Sequence, residues 1–243
     1  MNGDRPGPSF ADRILLSPLT WFISALNVAM FLLTWVRDGS HGFSIDVETL
    51  VAYGSTSRVL IQQGEPWRLV TAMFLHGDWL HLGMNVLFMF GLLAAVERYA
   101  GSAWFAFAYL TTGTGAYAVS VLSRPGISVG ASGAAFGILA VYLALLYRRE
   151  GSWNSFIANP GVRSILSQSG AWILAGFFLF RGIDNAAHIG GIVFGIPCGL
   201  LLGKRQGPRR HAWLAFLLQY ILVWLAVVVL ACIPGMGFDF GRE

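Results

Sequence analysis

The chain has 243 residues, 56% of them hydrophobic and only 12% charged, about half the charge fraction of an average soluble domain; its mean hydropathy is +0.63. So little polar surface cannot cover a water-soluble globule, which excludes a soluble enzyme, a disordered chain and a disulfide scaffold and leaves a polytopic membrane protein. The net charge of +4, from 16 basic against 12 acidic residues, does not point to nucleic acid, because the basic residues sit in short loops between apolar runs, where they orient a membrane protein.

Residues 1–14 read as a cytoplasmic N-terminal segment with no cleavable leader, because the apolar stretch behind them is long enough to span and shows no small-residue cleavage site. A bilayer core of ~30 Å needs about 20 apolar residues per helix, and seven candidate spans follow, at 15–36, 80–97, 103–122, 132–147, 165–181, 186–203 and 212–233. Between the first two, residues 38–79 form a loop too long to be a mere connector, with Trp67 and the apolar LVTAMFL run suited to lying in the membrane interface. The fourth span is short, opened by glycines and closed by Arg148 and Arg149. The fifth is weakened by Ser164, Ser167, Gln168 and Ser169. Residues 15–203 are read as one membrane domain, and 204–243 as a basic loop, an appended seventh helix and a short external tail. Cys198 and Cys232 both fall inside apolar runs and read as packing residues.

Lys and Arg set the orientation. The KRQGPRRH loop after the sixth span is expected to be cytoplasmic. Alternating outward from it places Arg148, Arg149, Arg163, Arg98 and the N-terminus inside and the C-terminus outside.

Polar side chains within spans are functional candidates by default. The second span carries His81 and Asn85, the fourth Ser132 and the sixth His188. Ser132 precedes Arg148 by sixteen residues, His188 precedes Lys204 by sixteen and His81 precedes Arg98 by seventeen. At 1.5 Å per residue all three stand about 24–25 Å above the inner boundary, with Asn85 one turn deeper on the face of His81. Glycine every four residues in the sixth span (Gly191, Gly195, Gly199, Gly203), and Gly133 and Gly137 with Ala140 and Ala144 beyond in the fourth, let the two helices approach closely. That approach brings Ser132 to His188. A neutral imidazole there can take the hydroxyl proton as general base and return it to a leaving amine. Ser132 follows Gly130 and opens its helix, where free N–H groups favour an oxyanion, and His81 and Asn85 can add donors. This chemistry needs no metal and no organic cofactor. A zinc site of His76, His81 and His188 is disfavoured, since the spacing is not HExxH and Ser132 would be idle.

Trp67–Arg68, HGDWLHLGMN (His76 to Asn85), GASG (Gly130 to Gly133) and AHIGGIVFG (Ala187 to Gly195), in that order, resemble the rhomboid intramembrane serine proteases over about residues 15–203. The resemblance implies an all-α polytopic membrane bundle, with a rhomboid-like six-helix core plus one C-terminal transmembrane helix. It implies Ser132 as nucleophile and His188 as general base and acid, in a dyad without a carboxylate. His81, Asn85 and the Ser132 backbone N–H would form the oxyanion hole. His76 would be the supporting histidine of the first loop, Trp67–Arg68 that loop's structural motif, and Glu97 the acid that ties the inner end of the second helix. Phe136 stands where many members have a tyrosine packed on the catalytic histidine; its ring can stack, without a hydroxyl.

Asn185 is expected to help line the site. Asp184, four residues before His188, is expected to be a helix-start cap rather than a third catalytic member. Trp172, Phe177, Phe178 and Phe180 are expected to face lipid rather than to form a substrate gate. The implied partners are transmembrane protein substrates within the lipid bilayer, with small residues before the cut and Gly, Ser or Pro near it, because a helix hides its amides in i to i−4 bonds. Water would reach Ser132 from the outer face, beneath the first and fifth loops. Two competing classes are a non-proteolytic rhomboid-like client-binding protein, whose relatives lack the serine or the histidine that this chain has, and a transporter, which would show two related halves. The compact size and the lack of a transit sequence suggest a bacterial plasma membrane.

Overall fold

Long apolar runs in a bilayer must satisfy their own backbone, which helices do internally. The structure, a computed structural model describing residues 16–178 and 182–201, is built of such helices. Six are long: α1 Pro18–Asp38, α5 Trp79–Ala100, α6 Ser102–Ser123, α7 Ser132–Glu150, α9 Pro160–Phe178 and α10 Asn185–Leu201. Short helices fill the first loop, α2 Val47–Ala52, α3 Arg58–Gln62 and α4 Arg68–Thr71, and α8 Trp153–Ala158 precedes α9. These six match the first six expected spans, with one shift: α9 starts at Pro160 rather than 165. Proline suits a first helical position, and the Asn159 side chain accepts from the Gly161 amide at 2.9 Å. The N-terminal segment, Gly203, the basic loop, the seventh span and Cys232 lie outside the described residues.

By length and composition alone α1, α5 and α6 can each cross a membrane, with hydropathies of 1.8, 1.8 and 1.2; α10 is apolar but shorter. Burial follows position in the bundle rather than hydropathy: α6 is the most enclosed of these three, about half of α7 and of α10 is buried, and α9 buries only Val162. α10 packs chiefly on α7 and then on α6, and α1 packs on α5. The expected glycine contact is present and very close. A Cβ on Gly191 would lie 2.1 Å from the Gly133 carbonyl oxygen, and one on Gly195 2.2 Å from that of Gly137. α6 is a third member of this contact, which the small-residue spacing did not reveal: a Cβ on Gly137 would meet Thr112 at 2.2 Å, and one on Gly190 the Ala116 Cα at 3.0 Å.

The first loop corrects one expectation. Leu69, Ala72, Met73 and Leu75 of the LVTAMFL run are essentially fully buried in the protein core, and Trp67 alone stays exposed at the start of the run. Arg68 explains how the loop folds back. Its Nη1 donates to the carbonyls of Val51 at 2.7 Å and Ser55 at 3.2 Å, its Nε pairs with Glu65 at 2.7 Å, and its guanidinium lies over the Trp67 ring. A further detail absent from the sequence reading is a two-stranded antiparallel pair, β1 Thr56–Ser57 with β2 Ile127–Ser128, which joins the first loop to the segment before Ser132. Strands of two residues are too short to show an alternating pattern.

At the end of α5 remote from His81, buried Glu97 gathers the neighbouring chain. It accepts from the amides of Leu19 at 2.9 Å and Thr20 at 2.8 Å, from the Thr20 hydroxyl at 2.7 Å and from the Ser102 hydroxyl at 2.7 Å. A carboxylate suits the N-terminus of α1, where free amides and the helix dipole are positive. Glu97→Ala would orphan these buried donors and is expected to cost about 2–3 kcal/mol, read as a lower thermal midpoint of the detergent-solubilised protein. An unchanged midpoint would contradict this role.

Candidate active site

Ser132 owes its place to the turn before it. Gly130 has φ +122°, a left-handed value that side chains resist. A Cβ there would also lie 2.6 Å from His81 Nε2, so glycine answers two demands. The turn is pinned on both sides: the Gly130 amide donates to the Ala72 carbonyl at 2.9 Å, and its carbonyl accepts from the Tyr117 hydroxyl at 2.6 Å. α7 then starts at Ser132, whose amide belongs to the first turn, where no carbonyl lies four residues back within the helix.

His188 lies in the first turn of α10, and the glycine contact carries it to α7. Its Nε2 stands 2.9 Å from Ser132 Oγ. With the ring proton on Nδ1, Nε2 accepts the hydroxyl. Nδ1 is buried and has no hydrogen-bond partner among the described residues, so none of their carboxylates orients the ring. Phe136, one turn on from Ser132, does that by packing: its ring stacks on His188 with centroids 4.3 Å apart and planes 23° from parallel.

Asp184 is engaged elsewhere, as its expected cap role implies. One oxygen accepts from the Ala187 amide at 3.0 Å, the other from the Ser120 hydroxyl, and Arg124 stands 3.9 Å away. Asp78 does the same for α5, accepting from the His81 amide at 2.7 Å.

Asn85 donates from Nδ2 to the His81 carbonyl at 2.8 Å, and its second amide N–H is left for another acceptor. His76 is fully buried, set edge-on to His81 at 5.0 Å. Burial, with His81 beside it, holds the His76 imidazole well below the usual histidine range, so it is neutral at physiological pH.

A cavity of ≈ 770 Å³ joins these groups, lined by His81, Asn85, Ser132, Phe136 and His188. The end of the first loop (Gly77, Asp78) and the segment before α10 (Gly182 to Asp184) contribute to its wall. His76 and Gly130 are not among its lining residues; they hold His81 and the serine turn from behind. Two expectations need correction. Asn185 does not line the cavity; its Nδ2 donates to the Ile173 carbonyl at 2.9 Å and so ties α10 to α9. Trp172, expected to face lipid, is exposed like Phe177 and Phe178 but, unlike them, also lines the cavity; Phe180 lies outside the described residues. Sequence reasoning missed Tyr117 and Arg124 in the cavity wall. Tyr117 and Ser120 share one face of α6 and Arg124 follows its last residue, but the sequence does not show what that face meets.

The family model for the Rhomboid domain matches residues 63–205, which include every residue of this cavity. The chain belongs to the rhomboid family. Like other rhomboids it is an all-α, polytopic integral membrane protein. It is 39% identical over 205 residues to the rhomboid protease GluP of Bacillus subtilis (strain 168), covering 84% of this chain and 38% of that one. It is 30% identical over 198 residues to RHOMBOID-like protein 4 of Arabidopsis thaliana, covering 77% and 48%. With the putative rhomboid protease YdcA of Bacillus subtilis (strain 168) it shares 29% identity over 208 residues, covering 83% and 96%. This rhomboid therefore spans less than half the length of the first two relatives and nearly all of the third.

Proposed function

We propose that this rhomboid is an intramembrane serine endopeptidase that cuts peptide bonds in or near transmembrane segments of other membrane proteins. The observation that carries the reading is the 2.9 Å approach of Ser132 Oγ to His188 Nε2 in the wall of a ≈ 770 Å³ cavity, a volume in the range of ligand pockets, about 300–1,000 Å³.

In this mechanism His188 Nε2 takes the hydroxyl proton as Ser132 Oγ attacks the scissile carbonyl carbon. The resulting oxyanion is held by the Ser132 amide, His81 and Asn85. The tetrahedral intermediate collapses to an acyl-enzyme as His188 gives the proton to the leaving amine. Water, deprotonated by the same nitrogen, then attacks the acyl carbon, and as the Oγ–C bond breaks the proton returns to Ser132 Oγ and the new carboxyl end leaves. The Phe136 face keeps the ring aligned through each proton transfer and attracts the imidazolium weakly. A substrate helix must unwind locally before its amide is accessible, which favours Gly, Ser or Pro near the cut. Residues 15–203 form the protease domain in this reading. The site faces the external side, the N-terminus is cytoplasmic, and the membrane is the plasma membrane of a bacterium.

Fluorophosphonate labelling tests the proposal. The purified wild-type protein is expected to label covalently and Ser132→Ala is not. Absence of labelling in folded wild-type protein would overturn the proposal in favour of a client-binding role without hydrolysis.

A further inference from the structure

Asp78, Arg124 and Asp184 bring charge to the cavity that holds Ser132. Both acids are committed. Asp78 caps α5 and Asp184 caps α10, the latter also holding the Ser120 hydroxyl. Each carboxylate therefore sits on the positive end of a helix, which offsets part of its charge. Arg124 is in a different position. Its backbone closes α6, with its amide donating to the Ser120 carbonyl at 3.0 Å. Its side chain is 36% exposed, and its ion-pair partner among the described residues is Asp184, 3.9 Å from one nitrogen, beyond hydrogen-bond length. A guanidinium offers five donors in a rigid fork that matches a carboxylate, and here that fork has no hydrogen-bonded acceptor among the described residues.

We propose that Arg124 is a specificity-determining residue that pairs with an Asp or Glu side chain carried by the substrate close to its cleaved bond. The proposal rests on the proteolytic reading above. An acidic side chain drawn into the cavity loses hydration, and the fork of Arg124, ion-paired with Asp184 but not hydrogen-bonded to it, replaces that hydration with charge-assisted hydrogen bonds. A Lys at the same place meets a like charge. Both Asp184 oxygens already accept hydrogen bonds, and Asp78 uses one oxygen on the α5 N-terminus, so each carboxylate has part of its charge offset before a substrate cation arrives. Because Arg124 is partly exposed, the expected discrimination is modest, about fivefold, and it should shrink as salt is raised.

The test uses the full-length protein in neutral-lipid vesicles, with matched transmembrane substrates carrying Glu, Gln or Lys at each position flanking the cut. Wild type is expected to cleave one Glu substrate about fivefold faster than its Gln counterpart, and the Lys version most slowly. Arg124→Gln should bring the Glu-to-Gln ratio to unity, and Arg124→Glu should favour Lys. Fluorophosphonate labelling reports whether each variant is folded; if Arg124→Glu is not, Arg124→Gln decides. The assignment is overturned if wild type and Arg124→Gln show equal ratios at every position, or if the substitution slows all three substrates alike, as a purely structural role would. A wild-type protein that labels and cleaves without charge preference removes the Arg124 assignment alone. One that neither labels nor cleaves removes the proteolytic reading first, and the assignment with it.

Discussion

Ser132→Ala, His188→Ala and the double variant are expected to lower kcat/KM for a helical membrane substrate by nearly the same factor, about 10⁴-fold or more. The hydroxyl and the imidazole act as one unit across a 2.9 Å contact. Either group without the other leaves only the polarising donors and the binding of substrate, so the losses do not add. Substrate affinity measured with Ser132→Ala should stay near the wild-type value, since the hydroxyl contributes chemistry rather than grip. His188→Ala retaining more than about a tenth of the activity would end the dyad account, because among the described residues His188 is the base hydrogen-bonded to Oγ.

Gly191→Ala is expected to destabilise the fold and to lower activity far more than one methyl group suggests. The new Cβ would stand 2.1 Å from the Gly133 carbonyl oxygen and 3.1 Å from the Gly137 amide nitrogen. Both are backbone atoms, so no rotamer change relieves the overlap and the helices must part by more than about 1 Å to reach ordinary contact. Overpacking of this kind costs about 1–3 kcal/mol, sometimes more. Gly133 adjoins Ser132 and Gly191 follows His188 by one turn, so the same parting widens the dyad. A misplacement of about 1 Å can reduce turnover about 100-fold. Gly170→Ala in α9 is the control, since nothing lies within 4 Å of its added carbon. A wild-type thermal midpoint and rate in Gly191→Ala would refute the argument.

The six long helices were legible because membrane spans are written in composition, a signal that survives over about 20 residues. Depth counting from Arg148, Lys204 and Arg98 put Ser132, His188 and His81 at one level because helical rise is constant. The glycine stripes supplied the lateral pairing. What stayed hidden depended on tertiary contact. The LVTAMFL run is apolar whether it meets lipid or core, and only the fold of the loop around Arg68 decides. Asn185 is polar and adjacent to the site in sequence, yet it turns toward Ile173 on α9. Arg124 and Tyr117 were invisible as cavity residues because α6 alone does not reveal which of its faces meets the cavity. Asp184 was legible from its position at a helix start.

The contact between α7 and α10 has a consequence for control. Main chain against main chain leaves no side-chain cushion that could be repacked into a second, relaxed arrangement, so this joint has one setting. A change of lipid thickness, or the arrival of a client, has little leverage on the spacing of the reacting atoms. Under the proteolytic reading proposed above, the throttle would then sit upstream of the chemistry, in how often a neighbouring helix slips in, frays and presents its amide to a warhead that is always armed.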